Sequence, residues 1–281
     1  MRRSRRERWR GVILGSETWF DDAGLRAAAG RYNAFSAEPL GYGTVRDYCD
    51  SFDHLHALAT SSGDLKDLQR PWMLKAVLGA ASGRRGRLLE IGAGEPVVAD
   101  LLQRLGHEVW VVDPYDGSGN GPTEYQRFRT EYPGLRFLRE QFSDVTTGLA
   151  PGSFDCIYSI SVLEHIPAEG LRGVMAGARR FLQPDGVTIH AVDHVHRGKG
   201  AEEHLSSLVL MTTGWGFPSS DLEATLAAAS DDTETYYLSA ESHNRWRAGV
   251  PYDEFPMRVC ISIQACSMAR DIIVPGGDDD R

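Results

Sequence analysis

Residues able to do chemistry are concentrated at two places in the chain. The first is the run Leu88-Leu89-Glu90-Ile91-Gly92-Ala93-Gly94-Glu95-Pro96, with Asp113 following Gly94 by 19 residues. A carboxylate two positions before a glycine turn can hold the ammonium of an amino-acid tail, directly or through water. Gly92 and Gly94 let the backbone turn tightly and come close to a ligand. An acid about 20 residues further on meets a ribose hydroxyl in nucleotide-binding βαβ units. The third glycine of the dinucleotide fingerprint would fall at Val97, so NAD and FAD are disfavoured and a different nucleoside is favoured. The second place is the stretch His190, Asp193, His194, His196, Arg197, Lys199, Glu202, Glu203, His204. A neutral imidazole at His194 or His196 could take a proton from a hydroxyl. Metal ligation and ordinary loop histidines are the other uses open to this stretch. Its spacing matches no metal motif, and no metal is expected. His165 is a further base candidate, with helix capping as the alternative.

The elements around these residues are legible from pattern. Leu88, Leu89 and Ile91 form the apolar run of a strand covered on both faces. Pro96 suits a helix first turn. Val97, Val98, Leu101, Leu102 and Leu105 then repeat at helical spacing. Residues 108–112 read as a second strand ending at Asp113, 125–132 as a helix and 135–138 as a third strand. Residues 154–160 read as a fourth strand, with Ser159 and Ile160 at the carboxyl end where open α/β sheets bind ligands. An amphipathic helix follows from Leu171 to Leu182, then a turn at Asp185-Gly186 and a fifth strand over 187–192. That order places residues 193–196 at the carboxyl end of the fifth strand, facing the crevice. Upstream, helices are expected near 43–58 and 64–80, with Pro71 in the first turn of the second. Downstream, 234–238 and 257–263 read as the last two strands, paired antiparallel.

Four of these blocks, in this order, resemble the class I S-adenosylmethionine-dependent methyltransferases. Leu89-Glu90-Ile91-Gly92-Ala93-Gly94 is similar to their first motif, and Val112-Asp113-Pro114 to their second-strand acid. Ser153-Phe154-Asp155-Cys156-Ile157-Tyr158-Ser159-Ile160-Ser161-Val162-Leu163-Glu164-His165-Ile166-Pro167 is similar to their fourth strand and following loop, and Leu182-Gln183-Pro184-Asp185-Gly186 to the turn before the fifth. The resemblance covers residues 85–195. It implies an α/β fold: a doubly wound, mostly parallel seven-stranded sheet with an antiparallel last strand, plus an N-terminal helical lid. The expected division is a basic arm over 1–16, a lid and substrate segment over 17–82, the core over 83–270 and a tail over 271–281. The cofactor implied is S-adenosylmethionine, leaving as S-adenosylhomocysteine. Glu90, Gly92, Ala93, Gly94, Asp113, Pro114, Ser159 and Ile160 would bind it. Family members place an acid for the adenine amino group near Asp144, which could equally be a loop cap. Tyr42, Tyr48 and Arg70 are candidate lid contacts to substrate. His243, Arg245 and Trp246 form an Arg/His/Trp loop suited to a polar or anionic substrate.

The acceptor is less specified. The tetrapeptide Asn/Asp-Pro-Pro-Tyr/Phe, by which related enzymes methylate amino groups of bases and glutamine, is absent after the fourth strand. The net charge of −9 also disfavours a nucleic-acid partner. A small-molecule hydroxyl is the expected acceptor, in a biosynthetic, natural-product pathway. N-methylation of a small molecule or a peptide is one alternative, and a regulatory protein that binds the cofactor without transfer is another. The four cysteines make no Cys-x-x-Cys pair and read as reduced thiols of a cytoplasmic protein. No apolar run approaches a membrane span. Ser4-Arg5-Arg6 has the form of a twin-arginine signal, but the apolar stretch after it is too short for export.

Overall fold

In a computed structural model, the structure describes residues 21–60, 63–118, 121–198, 200–238 and 259–274. The elements run α1 (Asp22–Tyr32), β1 (Leu40–Tyr42), α2 (Val45–His54), α3 (Lys66–Ala81), β2 (Arg87–Ile91), α4 (Val97–Arg104), β3 (Glu108–Val112), α5 (Tyr125–Glu131) and β4 (Arg136–Leu138). They continue with β5 (Phe154–Ile160), a 3-10 turn (Leu163–His165), α6 (Ala168–Phe181), β6 (Leu182–Arg197), α7 (Ala201–Gly214), α8 (Ser219–Asp231) and β7 (Val259–Met268). The seven strands form one sheet in the order β1-β7-β6-β5-β2-β3-β4. β2 to β6 pair in parallel, while β7 runs antiparallel to both β6 and β1. The expected doubly wound, mostly parallel sheet is therefore present.

Strand alternation divides the helices into two layers. Leu88, Val109, Val111, Cys156, Tyr158, Ile189 and Ala191 point to the layer made by α1, α3, α4 and α5. Leu89, Ile91, Val112, Ile157, Val192, Ile261 and Ile263 point to the layer of α6, α7 and α8. With both faces covered, the central strands are apolar at nearly every position, as the sequence of β2 already indicates.

Three segments outside the central strands take forms that the pattern alone did not show. The described part of 17–82, expected as a helical lid, adds a strand to the sheet and helices to the core. Leu40, Gly41 and Tyr42 pair with Ala265, Gln264 and Ile263 and become the edge strand, while α1 and α3 supply much of one core. The segment 234–238, expected as a strand, makes only isolated bridges, Thr235 to Thr44 and Tyr237 to Ile261. The edge of β7 that it would have used is taken by β1. Pro71 also lies in the second turn of α3, which begins at Lys66, rather than in the first. Its ring removes the N–H that would have bonded the Asp67 carbonyl. The helix around it is buried on all sides from Pro71 to Leu78, so packing offsets that loss.

α2 is started by a capping box. Thr44 Oγ1 accepts from the Asp47 amide at 3.1 Å, and the Asp47 carboxylate accepts from the Thr44 amide at 3.1 Å. It is tied to α3 by Lys75, which is buried and reaches Asp50 at 2.5 Å, while Tyr32 donates to the same carboxylate at 2.9 Å. α3 also presses on the chain leaving α1. A Cβ built on Gly79 would stand 1.9 Å from the Phe35 carbonyl oxygen. Gly79→Ala is therefore expected to lower stability by about 2–3 kcal/mol, through overpacking against backbone. Gly30→Ala, in α1 with nothing within 4 Å, should raise it by about 0.5–1 kcal/mol. Urea unfolding of the two variants tests this opposition.

The length of β6 matters most for the site. β5 ends at Ile160, opposite Ala191. β6 continues to Arg197, paired only with β7. Residues 192–197 thus form a two-stranded ribbon standing beyond the carboxyl end of the parallel strands.

Candidate functional site

The glycine turn lies where β2 meets α4, at the carboxyl end of the sheet. Gly92 and Gly94 both take left-handed backbone, at φ +62° and +57°, which glycine adopts without a steric penalty. Their surroundings differ. A Cβ on Gly92 would lie 2.5 Å from Val162 Cγ1, because the loop after β5 closes directly over the turn. A Cβ on Gly94 would meet only Pro122, at 3.8 Å, so its outer side is open. Two non-glycine residues with positive φ stand at the same end of the sheet: Ser161 at +54° and Tyr115 at +48°. Such backbone strain gathers where a ligand-binding surface must be held in one shape.

Asp113 is locked into this surface. Its Oδ2 accepts from the Gly94 amide at 3.2 Å and its Oδ1 from the Tyr115 amide at 2.7 Å. The Tyr115 hydroxyl in turn donates to the Gly94 carbonyl at 3.1 Å. Burial raises the Asp113 pKa, and the two backbone N–H groups oppose that shift. Each carboxylate oxygen has capacity for a further donor. If Asp113 receives the ribose hydroxyls, Asp113→Ala should weaken S-adenosylhomocysteine binding by about 1–3 kcal/mol. Calorimetry would show this, and unchanged affinity would remove the assignment.

Glu90 projects from β2 beneath the turn, toward α3. It is fully buried and accepts from the Tyr158 hydroxyl at 3.1 Å. Burial raises its pKa to about 7, against the opposing pull of Tyr158, of Arg70 on α3 and of the Ala99 backbone N–H at the start of α4. An anionic group so placed has an incentive to acquire a cation.

The other expected cofactor residues divide. Ala93 packs on the core beside the turn, and the Pro114 carbonyl accepts from Arg139 at 3.3 Å. Ile160 faces the α3 layer. Ser159 points the other way, to His190 Nδ1 at 2.8 Å, and the His190 ring stacks on Trp215. Asp144 is not brought to the turn. Its backbone carbonyl accepts from Arg180 at 2.7 Å, in the last turn of α6. That turn leads into Leu182 and hence to the amino end of β6, the opposite end of the sheet.

The histidines require the main correction. His194 and His196 do stand on the ribbon beyond the sheet, but strand alternation turns them to the α7 and α8 side. The His194 ring lies among His196 and His204, at 5.8 and 6.4 Å between centroids. The His196 Nε2 contacts Ser230 of α8 at 2.5 Å. Burial, followed by the neighbouring His196 and His204, pushes the His194 pKa down to about 3. Burial also lowers that of His196. Both are neutral at physiological pH, yet neither faces the glycine turn. Among the described residues, no group of three or more His, Cys, Asp or Glu side chains is placed to hold a metal. His165 is exposed on the 3-10 turn.

Tyr42 is committed to Asp232 at 3.0 Å, and Tyr48 donates to the Thr60 carbonyl at 2.8 Å while packing on Tyr236. Only Arg70 of the lid candidates lies by the turn, beside Glu90. His243, Arg245 and Trp246 fall outside the described residues.

The intervening residues of the ribbon, Asp193 and Val195, face the α3 layer. Asp193 Oδ1 accepts from Gln69 Nε2 of α3 at 2.8 Å, and Gln69 Nε2 also reaches Ser262 Oγ of β7 at 3.2 Å. The Asp193 amide donates to Glu164 Oε1 at 2.9 Å. Glu164 is two residues past Val162, the residue that covers Gly92. Its presence in the loop motif was the one sequence signal available.

A family profile described as a methyltransferase domain matches residues 66–252, more than half of the chain. The chain belongs to the methyltransferase-domain family. A curated relative, the ubiquinone biosynthesis O-methyltransferase of Nitrosococcus oceani, is 29% identical over 134 residues, which are 47% of this methyltransferase and 54% of the relative. The chain thus spans about half the length of that relative. Among solved structures, a geranyl diphosphate methyltransferase in complex with GPP and sinefungin aligns over 88% of this chain and 99% of its own, at 13% identity and a TM-score of 0.45. The Haemonchus contortus phosphoethanolamine N-methyltransferase 2, with phosphomonomethylethanolamine and S-adenosylhomocysteine, aligns over 66% of this chain and 48% of its own, at 15% identity and a TM-score of 0.40.

The cofactor that the first motif implies is S-adenosylmethionine. The turn fits it on two observations: the open side of Gly94, and the buried carboxylate of Glu90 below. No helix among the described residues is long and apolar enough to cross a membrane.

Proposed function

We propose that this methyltransferase transfers the methyl group to a hydroxyl of a small biosynthetic molecule, in the cytoplasm, where its four cysteines stay reduced. The observation that carries the cofactor half is the surface formed by Glu90, Gly92, Gly94 and Asp113 at the carboxyl end of β2 and β3. Glu90 would hold the ammonium of the methionine part, and Asp113 the ribose. When bound, the sulfonium supplies a methyl carbon that is already strongly electrophilic. The protein's task is then to hold the acceptor in line with that carbon and to exclude water. The O-methyltransferase relative supports a hydroxyl acceptor over the half-chain it covers. So do the acceptor-rich side chains beside the turn.

Formation of S-adenosylhomocysteine, followed with a panel of phenols, alcohols and amines, tests the proposal. Turnover confined to hydroxyl compounds is expected. Turnover confined to amines would transfer the assignment to N-methylation. Tight cofactor binding with no turnover across the panel would favour a regulatory protein that binds without transfer.

A further inference from the structure

We propose that Glu164 and Gln69 form the subsite that receives the acceptor's hydroxyl, which rests on the methyltransferase reading above. Three elements converge there: the 3-10 turn after β5 (Glu164), the ribbon of β6 (Asp193) and the first turns of α3 (Gln69). Asp193 joins them, donating its amide to Glu164 Oε1 and accepting the Gln69 side-chain N–H. What remains unused is telling. Glu164 Oε2 and Gln69 Oε1 are both buried and neither has a hydrogen-bond partner. Gln69 as a residue is wholly buried. Buried polar atoms are almost always satisfied, and an exception needs a cause. Burial and the neighbouring Asp193 raise the Glu164 pKa to about 8, so at neutral pH its Oε1 accepts the Asp193 amide and its Oε2 carries a proton to donate, while Gln69 Oε1 is an acceptor; both flank one aspartate, next to the loop that covers the glycine turn.

The set of orphaned atoms defines what would satisfy it. A donor beside an acceptor calls for a group that both accepts and donates. A carboxylate has no hydrogen to offer Gln69 at neutral pH. On the same face of the sheet, two residues along β7 from Ser262, the buried Gln264 Nε2 is a donor without an acceptor. A hydroxyl both donates and accepts, whereas an ammonium only donates. The geometry therefore points to a neutral hydroxyl compound. The other orphaned atoms do not compete with this cluster. Those of His194 and His196 belong to the opposite layer, and Arg87 and Arg127 each have a carboxylate within 3.5 Å.

The test uses the full chain saturated with S-adenosylhomocysteine, titrated with phenol, anisole, benzoate and benzylamine by protein-observed NMR. Phenol should bind at least about tenfold more tightly than anisole, the loss of one hydrogen bond to a buried acceptor, and more tightly than benzoate or benzylamine. Gln69→Met removes the orphaned acceptor that would take the phenol hydrogen while keeping a side chain of similar length. It should abolish the preference for phenol over anisole and leave S-adenosylhomocysteine affinity within about threefold. Equal binding of phenol and anisole, absence of phenol binding, tighter benzoate or benzylamine binding, or an unaltered preference in the variant would each overturn the subsite. Failure of S-adenosylhomocysteine itself to bind would instead remove the underlying methyltransferase reading.

Discussion

Glu90→Gln should weaken binding of S-adenosylhomocysteine by about 10- to 100-fold, the loss of a hydrogen bond to a charged partner worth roughly 1.5–3 kcal/mol. The pH dependence should change with it. Burial holds the Glu90 pKa at about 7, so the carboxyl is half protonated at neutral pH in the free protein. A ligand ammonium requires the ionised form. Affinity should therefore fall as pH drops below 7, approaching tenfold per unit, and should be flat over the same interval in Glu90→Gln. Stability should respond in the opposite sense. A carboxyl whose folded pKa is raised contributes stability below its unfolded pKa, near 4.5, and that contribution is lost as pH rises to 7. At pH 8 the unliganded variant should accordingly be more stable than the parent, by at most about 3 kcal/mol. Calorimetry at pH 6, 7 and 8, with thermal unfolding of the same samples, measures both. A variant that binds as the parent does, with the same pH slope, would remove Glu90 from the cofactor site.

The two glycines of the turn should separate stability from binding. Gly92→Ala puts a Cβ 2.5 Å from Val162 Cγ1 and 2.9 Å from its Cγ2, on a β-branched side chain with little freedom to move. Left-handed strain of about 1 kcal/mol adds to overpacking of about 1–3 kcal/mol. A loss of about 2–4 kcal/mol in folding stability is expected. Gly94→Ala suffers the same strain but no clash, since Pro122 lies 3.8 Å away. It should cost only about 1 kcal/mol in stability. Its methyl nevertheless projects from the open side of the turn, so cofactor affinity should fall by at least about tenfold, the scale of one lost backbone contact. Denaturant unfolding and ligand titration on both variants distinguish the two glycines. Equal destabilisation would mean that the turn is purely structural.

The glycine turn and its layers were legible because their determinants are local. The apolar run of β2, the paired glycines and the helical spacing from Val97 all lie within about one βαβ unit, and Asp113 follows at the distance such a unit imposes. The edge strand was not legible. Leu40, Gly41 and Tyr42 are too few to show alternation, and what makes them a strand is the vacant edge of β7, whose residues Ile263 to Ala265 are remote in sequence. The orientation of the histidines was hidden for a related reason. Val192 and Val195 are both apolar on opposite faces of the ribbon, so alternation does not reveal whether Asp193 or His194 faces the crevice. Asp144 was expected near the adenine from its position after β4. The chain instead descends along α6, where Gly173 and Gly177 leave room for Ser143. Glu164 and Gln69 come from different elements and meet only through Asp193, a relation that no spacing encodes.

The pairing of β1 with β7 also has a consequence for biosynthesis. Leu40–Tyr42 leave the ribosome long before their partner strand Val259–Met268. Until then both the N-terminal strand and the outer side of β6 are open edges, and open edges invite pairing with other chains. The sheet can close only once β7 has been made, so the α1–α3 layer must wait, packed on an unfinished scaffold. A chain stopped before residue 259 would display two unpaired edges at once and should be recovered as aggregate or in the hands of chaperones, whereas the full chain folds.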